Sequence, residues 1–388
     1  MGGESEMSSI PKGYKKTEVG IIPEEWEATR LGQLFDFLYG KQLPSHIVGH
    51  KIYPVYGTNG PFKTINSYLF NGESIIIGRK GAIRAIHYAP SNAWVIDTAF
   101  YSIQKQTICM KAIYYRMSLI DLSQMDSGSA IPSTNKQELE NIRIAVPPLP
   151  EQKAIAQVLS DMDALIEAQK ALIAKKRDIK QGAMQDLLSG HVRLPGYETK
   201  GWKHTDIGDI PDDWEVKELG NIADLYQPKT ISQNEMHDSG PYLVYGANGI
   251  IGRYHQYNHK ESEIMITCRG NTCGTINLSS PYAWITGNAM VVSIRNKDSI
   301  DAKFILYFLK YTSQILEAIT GGAQPQITRE PLKKLWIYCP SLPEQKAIAQ
   351  VLSDMDDEIE ILQVELEKLN HMKRGMMQEL LTGRIRLV

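Results

Sequence analysis

The sequence predicts an α/β fold: two mixed α/β domains, related by a pseudo-twofold axis, are joined by two long helices that form an antiparallel coiled coil. Three observations predict it. Residues 149–163 read LPEQKAIAQVLSDMD, and the same letters recur without a change at residues 342–356. Each copy opens a long helical pattern. The sequence before each copy also repeats in outline, so we interpret the chain as two divergent copies of one module.

The helical pattern opens in each copy with a proline, Pro150 or Pro343, which suits the first turn of a helix. Apolar residues then follow at alternating steps of four and three, which is the seam of a coiled coil. The seam positions are Ile155, Leu159, Met162, Ile166, Ile173 and Leu187 in the first copy, and Ile348, Leu352, Met355, Ile359, Leu362, Leu366, Leu369, Met376 and Leu380 in the second. Each helix ends near a glycine, Gly190 or Gly383, and spans about 40 residues, roughly 60 Å.

A helix of this length needs a partner for its apolar stripe, and the other copy is the economical one. Because a globular domain lies between the two helices, we expect them to pair antiparallel within one chain. The alternative is a coiled coil between different chains. The first seam is apolar at both ends and polar in the middle, at Gln169, Lys176 and Lys180.

Shorter matches extend the repeat through the domains. They are Ile-Pro-x-x-Trp-Glu at 22–27 and 210–215, Val-Tyr-Gly-x-Asn-Gly at 55–60 and 244–249, and Gly-Ser-Ala-Ile-Pro at 128–132 aligned with Gly-Gly-Ala-Gln-Pro at 321–325. The predicted domains are therefore residues 1–148 and 191–341, and the predicted helices are residues 149–190 and 342–388.

Inside each domain, short β-like runs lie between turns rich in Gly, Asn and Pro, for example at residues 74–78, 85–88 and 264–267. Residues 301–319 have the apolar spacing of a helix, and residues 111–122 are the counterpart. These patterns predict a mixed sheet with long polar loops. Four tryptophans are assigned to the cores: Trp26, Trp94, Trp214 and Trp284.

Composition narrows the class of protein. The 388 residues carry a net charge of −2, which argues mildly against a free-standing nucleic-acid binder unless the charge is segregated. The four cysteines show neither disulfide nor zinc spacing, so no metal is predicted. No signal peptide and no membrane-spanning run is present, and a cytoplasmic protein without membrane contact is expected.

Sequence motifs for catalysis are missing. The chain has no phosphate-binding Gly-x-x-x-x-Gly-Lys-Ser/Thr loop, no Gly-x-Ser-x-Gly elbow and no His-Glu-x-x-His. The Asn/Asp-Pro-Pro-Tyr/Phe motif of adenine methyltransferases is also absent. A nuclease whose carboxylates are far apart in sequence stays open as an alternative.

Glycine-rich loops that carry polar side chains occur at equivalent places in both modules. They supply the candidate DNA-binding residues, which are Tyr56, Thr58, Asn59, Arg79, Lys80, Arg84, Ser129, Tyr245, Asn248, Arg269, Asn271, Gln324 and Gln326. Arg can read guanine, Asn and Gln can read adenine, and Gly lets the backbone approach a phosphate. The alternative is that these loops are ordinary turns that need Gly and Asn for their backbone conformation.

Taken together, the Ile-Pro-x-x-Trp-Glu starts, the strings at 128–132 and 321–325, and the two Leu-Pro-Glu-Gln-Lys-Ala-Ile helices that end in Leu-Leu-Ser/Thr-Gly resemble the specificity subunit of type I restriction–modification enzymes. The resemblance runs from residue 17 to residue 387. It implies two target-recognition domains on double-stranded DNA, each reading half of a bipartite site, with a coiled coil that sets the gap.

The resemblance also implies partners. Two modification subunits would dock on the chain and methylate adenine with S-adenosylmethionine, and two restriction subunits could add ATP- and Mg-dependent translocation and cleavage. The chain itself would have no active site and no cofactor. Two alternatives remain at this point: a pseudo-dimeric scaffold or phage-defence adaptor that binds the same partners without reading DNA, and the unrecognised nuclease, which would cleave DNA alone.

Overall fold

A β-rich segment precedes each of two long helices. The computed structural model describes residues 10–43, 52–79, 85–122, 135–198, 201–205, 207–237, 239–246, 248–321 and 324–387. The two long helices are α4 (Leu149–Ser189) and α9 (Leu342–Leu380), of 41 and 39 residues. No helix in these ranges has an apolar stretch of membrane-spanning length.

The first domain lies before α4. Its elements are β1 (Tyr14–Thr17), β2 (Gly20–Pro23), β3 (Glu27–Arg30), α1 (Leu31–Leu34), β4 (Phe35–Tyr39), β5 (Tyr53–Gly57), β6 (Gly60–Ile65), β7 (Ser74–Gly78), β8 (Ile86–Ala89), β9 (Trp94–Val95), β10 (Ala99–Gln104), α2 (Met110–Met117), α3 (Lys136–Asn141) and β11 (Arg143–Val146). One sheet has the antiparallel order β4–β10–β7–β8. In another, of order β6–β5–β9, strands β5 and β9 run parallel. The expected mixed α/β class is therefore confirmed.

The second domain repeats this order between α4 and α9. Its elements are β12 (Trp202–Thr205), β13 (Gly208–Pro211), β14 (Glu215–Glu218), α5 (Leu219–Ile222), β15 (Ala223–Tyr226), β16 (Tyr242–Gly246), β17 (Gly249–Tyr254), β18 (Ile264–Thr267), β19 (Ile276–Leu278), β20 (Trp284–Ile285), β21 (Ala289–Ile294), α6 (Ala302–Tyr311), α7 (Gln314–Glu317), β22 (Ile319–Thr320), β23 (Gln326–Ile327), α8 (Arg329–Lys333) and β24 (Trp336–Cys339). The sheets β15–β21–β18–β19 and β17–β16–β20 match those of the first domain strand for strand.

Three predicted helices differ from the structure. The helix predicted at 111–122 ends at Met117, and the one predicted at 342–388 ends at Leu380. Residues 301–319 form α6 and α7 rather than one helix, because the chain breaks at Thr312. The hydroxyl of Thr312 accepts a hydrogen bond from the backbone N–H of Gln314, 3.3 Å away, which offers the backbone an alternative to the helical bond. The local turn therefore overrides an apolar pattern that is compatible with a continuous helix.

The structure divides the chain into two units, each made of one domain and parts of both long helices. Unit 1 comprises Met1–Lys170 and Val364–Val388, and unit 2 comprises Ala171–Gln363. In both long helices, all the seam positions named above are buried or half-buried. Between them lie exposed positions on nearly every turn, as expected for a helix that buries one stripe.

Within unit 1, the start of α4 runs antiparallel to the end of α9. Lys373 Nζ lies 2.5 Å from Asp163 Oδ1, and Gln169 Nε2 lies 3.2 Å from Glu365 Oε2. Because one residue number rises as the other falls, the two segments point in opposite directions.

The same arrangement occurs within unit 2. Lys176 Nζ lies 2.6 Å from Glu358 Oε1, and Lys180 forms an ion pair with Asp356. The polar middle of the first seam is therefore matched by carboxylates of the other helix, which was not apparent from the apolar pattern alone.

A buried cluster connects domain, helix start and helix end in unit 1; we call it the unit 1 junction. Glu151, in the first turn of α4, is fully buried. Its carboxylate accepts hydrogen bonds from Trp26 Nε1 at 2.8 Å and from Arg386 Nε at 2.6 Å. The bond to Glu151 raises the pKa of Arg386 above its ordinary value. Arg386 follows the end of α9, so one carboxylate holds three separate segments together.

The unit 2 junction repeats this cluster residue for residue. Glu344, in the first turn of α9, is 1% exposed and accepts hydrogen bonds from Trp214 Nε1 at 3.2 Å and from Arg193 Nε at 2.5 Å. Arg193 also donates to Asp213, 3.0 Å away. Burial alone would lower the pKa of Arg193, but the hydrogen bonds to Asp213 and Glu344 outweigh it and raise the pKa.

Shortly after each long helix ends, a glycine packs against a proline and a tryptophan of the domain. Gly190 has φ +76°, and a Cβ there would lie 2.7 Å from Pro211 Cγ and 3.1 Å from Trp214. Gly383 has φ +77°, and a Cβ there would lie 2.6 Å from Pro23. The helix therefore needs glycine at these ends both for the left-handed backbone and for close contact with the domain.

Candidate nucleic-acid interface

In the second domain, a loop and a short strand bring four of the candidate residues together. The loop 268–274 follows β18, and it lies against β23. Ile327 N donates to Cys268 O at 2.9 Å, and Gly270 N donates to Pro325 O at 3.2 Å. These bonds pair Arg269 with Gln326 across an isolated antiparallel bridge.

The paired backbones form the wall of a polar cleft. A cavity of about 590 Å³ is lined by Arg269, Gly270, Asn271, Gln324, Pro325 and Gln326. A second cavity of about 350 Å³ shares Arg269 and Gln326 and adds Gln227, Met290, Ile327, Thr328, Arg329 and Glu330. The polar side chains that line the first cavity are therefore a guanidinium group and carboxamides. These are the groups that form hydrogen bonds with base edges.

The cleft carries unneutralised positive charge. Glu330, the carboxylate at its margin, is paired with Lys333 Nζ at 2.8 Å. In the described part of the chain, neither Arg269 nor Arg329 forms an ion pair with a carboxylate. Both residues are exposed, so binding of an anion or a base edge by their guanidinium groups would break no ion pair.

The tip of the β16–β17 hairpin lies at the same end of the domain. Thr267, the last residue of β18, donates its hydroxyl to Asn248 Oδ1 at 3.3 Å. Asn248 is exposed, and Gly249 follows with φ +125°. The exposed amide of Asn248 therefore lies near the loop that carries Arg269.

In the first domain, the corresponding hairpin tip meets Arg79, the residue that follows β7. Thr98 O accepts hydrogen bonds from Thr58 Oγ1 at 3.0 Å and from Arg79 N at 2.9 Å. Arg79 stacks on the ring of Tyr39, 4.9 Å from its centroid, and Asn59, which follows Thr58, is exposed. Three candidates thus share one end of the first domain. Three further candidates of this domain, Lys80, Arg84 and Ser129, lie outside the described residues.

Two candidate residues need correction. Tyr56 and Tyr245 are 6% and 8% exposed, and both rings belong to the domain cores. The hydroxyl of Tyr245 accepts a hydrogen bond from Ser280 N at 3.1 Å. Their recurrence in the Val-Tyr-Gly-x-Asn-Gly motif is therefore explained by packing, and we do not retain them as DNA contacts.

Sequence reasoning missed Gln227 in the cleft and did not single out Arg329. Gln227 follows β15, some 40 residues before the Arg269 loop, and no local signal links the two. Arg329 opens α8 and is the last residue of the loop predicted at residues 321–329, so its place in that loop was the available signal. In the described ranges, no group of His, Cys, Asp and Glu side chains is placed to hold a metal ion.

Comparison with known proteins agrees with this organisation. A family model described as type I restriction modification DNA specificity domain matches residues 23–175 and 211–371, one match in each module. The chain is 27% identical to the type I restriction enzyme MjaVIII specificity subunit of Methanocaldococcus jannaschii over 420 residues, covering 97% of this chain and 96% of the relative. It is 35% identical to a second chain of that organism, provisionally named the MjaX specificity subunit, over 66% of this chain and 62% of the relative.

A solved structure shares the fold. The crystal structure of a type I restriction–modification S subunit from M. genitalium superposes with a TM-score of 0.68 at 18% sequence identity, covering 92% of this chain and 96% of that one. The duplicated α/β domains, the two long helices and the matches in both halves thus point to one group of proteins. The chain belongs to the type I restriction–modification DNA specificity family.

Proposed function

We propose that this chain directs a type I restriction–modification enzyme to a bipartite DNA site, with one half read by each domain and the gap set by the two long helices. The observation that carries the proposal is the polar cleft of the second domain, where Arg269, Asn271, Gln324 and Gln326 converge from two segments of the chain. For this role we assign recognition to residues 1–148 and 191–341, and spacing to residues 149–190 and 342–388.

The two halves of the site should differ in sequence. At equivalent ends, the first domain presents Arg79 stacked on Tyr39, whereas the second presents Arg269 beside Gln326. Different side chains select different bases, so two diverged domains on an antiparallel helix pair would read an asymmetric sequence on the two sides of a gap.

Methyl transfer is assigned to a partner. We propose that two modification subunits bind the chain and supply S-adenosylmethionine chemistry on adenine, and that a restriction subunit adds ATP-driven cleavage where one is present. This chain contributes the base contacts and the geometry. Because the proposed target is DNA inside the cell, we propose that the chain acts in the cytoplasm.

The decisive experiment expresses the chain with its neighbouring modification gene in a methylation-free host, and expresses that gene alone as the control. Long-read sequencing is expected to find one bipartite, asymmetric N6-methyladenine motif only when both are present. A stable complex without any motif would contradict sequence reading and favour the scaffold alternative. DNA cleavage by the purified chain alone would favour the nuclease.

We also propose that the exposed side of the long helices binds the modification subunits. Along α4, Leu165, Leu172 and Ile179 recur every seventh residue and are 50%, 38% and 47% exposed. Along α9, Ile361 and Met372 are 60% and 55% exposed. Apolar residues at helical spacing that the chain itself leaves uncovered favour a partner helix.

Two glycines in the long helices are further evidence for a binding surface on their exposed side. Gly182 and Gly375 stand at equivalent helical positions, and a Cβ at either would meet no atom within 4 Å. A glycine inside a helix costs about 1 kcal/mol relative to alanine, so neither is explained by contacts in this chain. Both lie one turn beyond an exposed apolar residue, Ile179 or Met372, where a missing side chain lets another helix approach closely.

Replacing Ile179 with glutamate tests this surface. The I179E change should weaken binding of the modification subunit at least about ten-fold, because a charge would be buried in the contact. The matched control is Gln181→Glu, which adds the same charge to an exposed position on the opposite side of α4. Retained binding by both variants, measured by co-purification and titration, would contradict the proposed surface.

A further inference from the structure

Arg269 and Gln326 form the non-hydrogen-bonded type of antiparallel pair, in which the two Cα atoms are closest. The flanking hydrogen bonds run from Gly270 N to Pro325 O and from Ile327 N to Cys268 O. This pattern defines a pair without hydrogen bonds of its own, in which the two Cα atoms are about 4.5 Å apart and the side chains leave the same face of the ladder. The two polar side chains are therefore held next to each other by backbone geometry alone.

Burial shows which way the two side chains point. Cys268 and Ile327, the immediate neighbours, are 0% and 3% exposed and face the core of the second domain. Arg269 and Gln326 are exposed and line the cleft from the opposite face. The alternation that buries Cys268 and Ile327 thus fixes Arg269 and Gln326 towards solvent, where DNA would lie.

Each of these side chains has one preferred base. The guanidinium fork of arginine matches O6 and N7 of guanine, and the carboxamide of glutamine matches N6 and N7 of adenine. The separation of about 4.5 Å is close to one base-pair step of about 3.4 Å, so both side chains reach the same or neighbouring pairs. Guanine and adenine cannot belong to the same base pair, so the pairs must be neighbours.

Resting on the proposed function, we infer that the half-site read by the second domain contains a G·C pair directly next to an A·T pair, with Arg269 reading the guanine and Gln326 reading the adenine. Arg329 lies in the adjoining cavity outside the paired backbones, and we assign it to a phosphate. The inference concerns the second domain alone, because the equivalent of Arg269 in the first domain is Lys80, which lies outside the described residues.

The experiment compares three variants, each co-expressed with the modification subunit, by the methylated motif that they produce. Arg269→Ala should lose selection for guanine at one position of one half-site, with discrimination reduced about 10-fold to 100-fold. Gln326→Ala should lose selection for adenine at the neighbouring position. Arg329→Ala is the control and should lower methylation at all sites while leaving the motif unchanged.

The other half-site and the gap should stay the same in all three variants. All three residues are exposed, so native circular dichroism and complex formation are expected and serve as the folding check. If Arg269→Ala abolishes methylation, we would measure binding of the variant complex to duplexes that carry each of the four base pairs at the position read by Arg269. Equal affinity for all four supports the inference, and a retained preference for guanine overturns it.

Two further outcomes overturn the inference. One is an unchanged guanine and adenine in the motifs of Arg269→Ala and Gln326→Ala, and the other is a change in these two variants at positions that are not adjacent. Failure of the proposed function looks different, because the unmodified chain itself would then produce no bipartite motif with its modification subunit.

Discussion

Replacing Arg193 with methionine is expected to lower the free energy of unfolding of unit 2 by about 3–5 kcal/mol. The side chains of Arg193 and Glu344 are 5% and 1% exposed, so the change leaves a buried carboxylate with Trp214 Nε1 as its remaining donor. Methionine keeps most of the apolar stem, so the loss isolates the charge and its hydrogen bonds. Urea unfolding followed by tryptophan fluorescence measures it.

Three comparisons define the effect. Glu344→Gln added to Arg193→Met should recover part of the loss, because a neutral amide can still accept from Trp214 and no longer needs a cation. Arg386→Met should cost less than Arg193→Met, because the Arg386 side chain is 25% exposed and its removal opens the buried Glu151 to water. Lys333→Met, at the exposed pair with Glu330, should stay within about 1 kcal/mol of the unmodified chain.

The junction idea is contradicted if Arg193→Met costs no more than Lys333→Met. It is also contradicted if the added Glu344→Gln deepens the loss. Either result would mean that the buried carboxylate is already compensated by groups other than the arginine, and that the repeat of Leu-Pro-Glu-Gln in both helices has another cause.

Adding four residues to both long helices is expected to widen the gap of the DNA site by one or two base pairs. Four residues add about 6 Å of helix, against about 3.4 Å per base pair. We would duplicate residues 167–170 after Lys170 and insert four matching residues after Gln363. Both insertions fall where the chain passes from one unit to the other, so each unit keeps its own contacts, such as Lys373–Asp163 and Lys180–Asp356, in register.

A single insertion provides the contrast. Four residues added to α4 alone would shift one set of ion pairs against the other, and methylation should fall. A duplication of residues 195–198, in the exposed turn around Gly196, lengthens the chain without lengthening a helix and should leave the gap unchanged. The gap in the methylated DNA motif is measured for the double insertion, the single insertion and the duplication of residues 195–198. An altered half-site, or an unchanged gap with the double insertion, would contradict the spacing role.

The sequence alone was sufficient for features that depend on local pattern. The identical segments at 149–163 and 342–356, with the four–three spacing after them, predicted helices that the structure begins at Leu149 and Leu342. The seam positions could be named because a helix of 3.6 residues per turn buries one stripe whatever it packs against. The duplicated α/β order was equally visible, because both copies keep their turn residues.

The tertiary structure decided which repeated residues are internal and which are exposed. Tyr56 and Asn59 stand three residues apart in one motif, yet one ring is buried in the core and the other side chain is exposed, because a strand and its turn differ in burial. The break at Thr312 likewise depends on one side-chain hydrogen bond that competes with the helix.

The cleft and the two junctions could not be predicted from the sequence either, because their residues come from distant parts of the chain. Arg269 and Arg329 come together because the loop after β18 is bridged to β23, and Glu344 meets Arg193 across 151 residues. The periodicity of apolar residues predicts which side chains of one helix or strand face the core and which face solvent. Which distant elements then become neighbours is set by the packing of the whole domain, where a charged or polar side chain is stable only beside a partner that the chain brings from elsewhere.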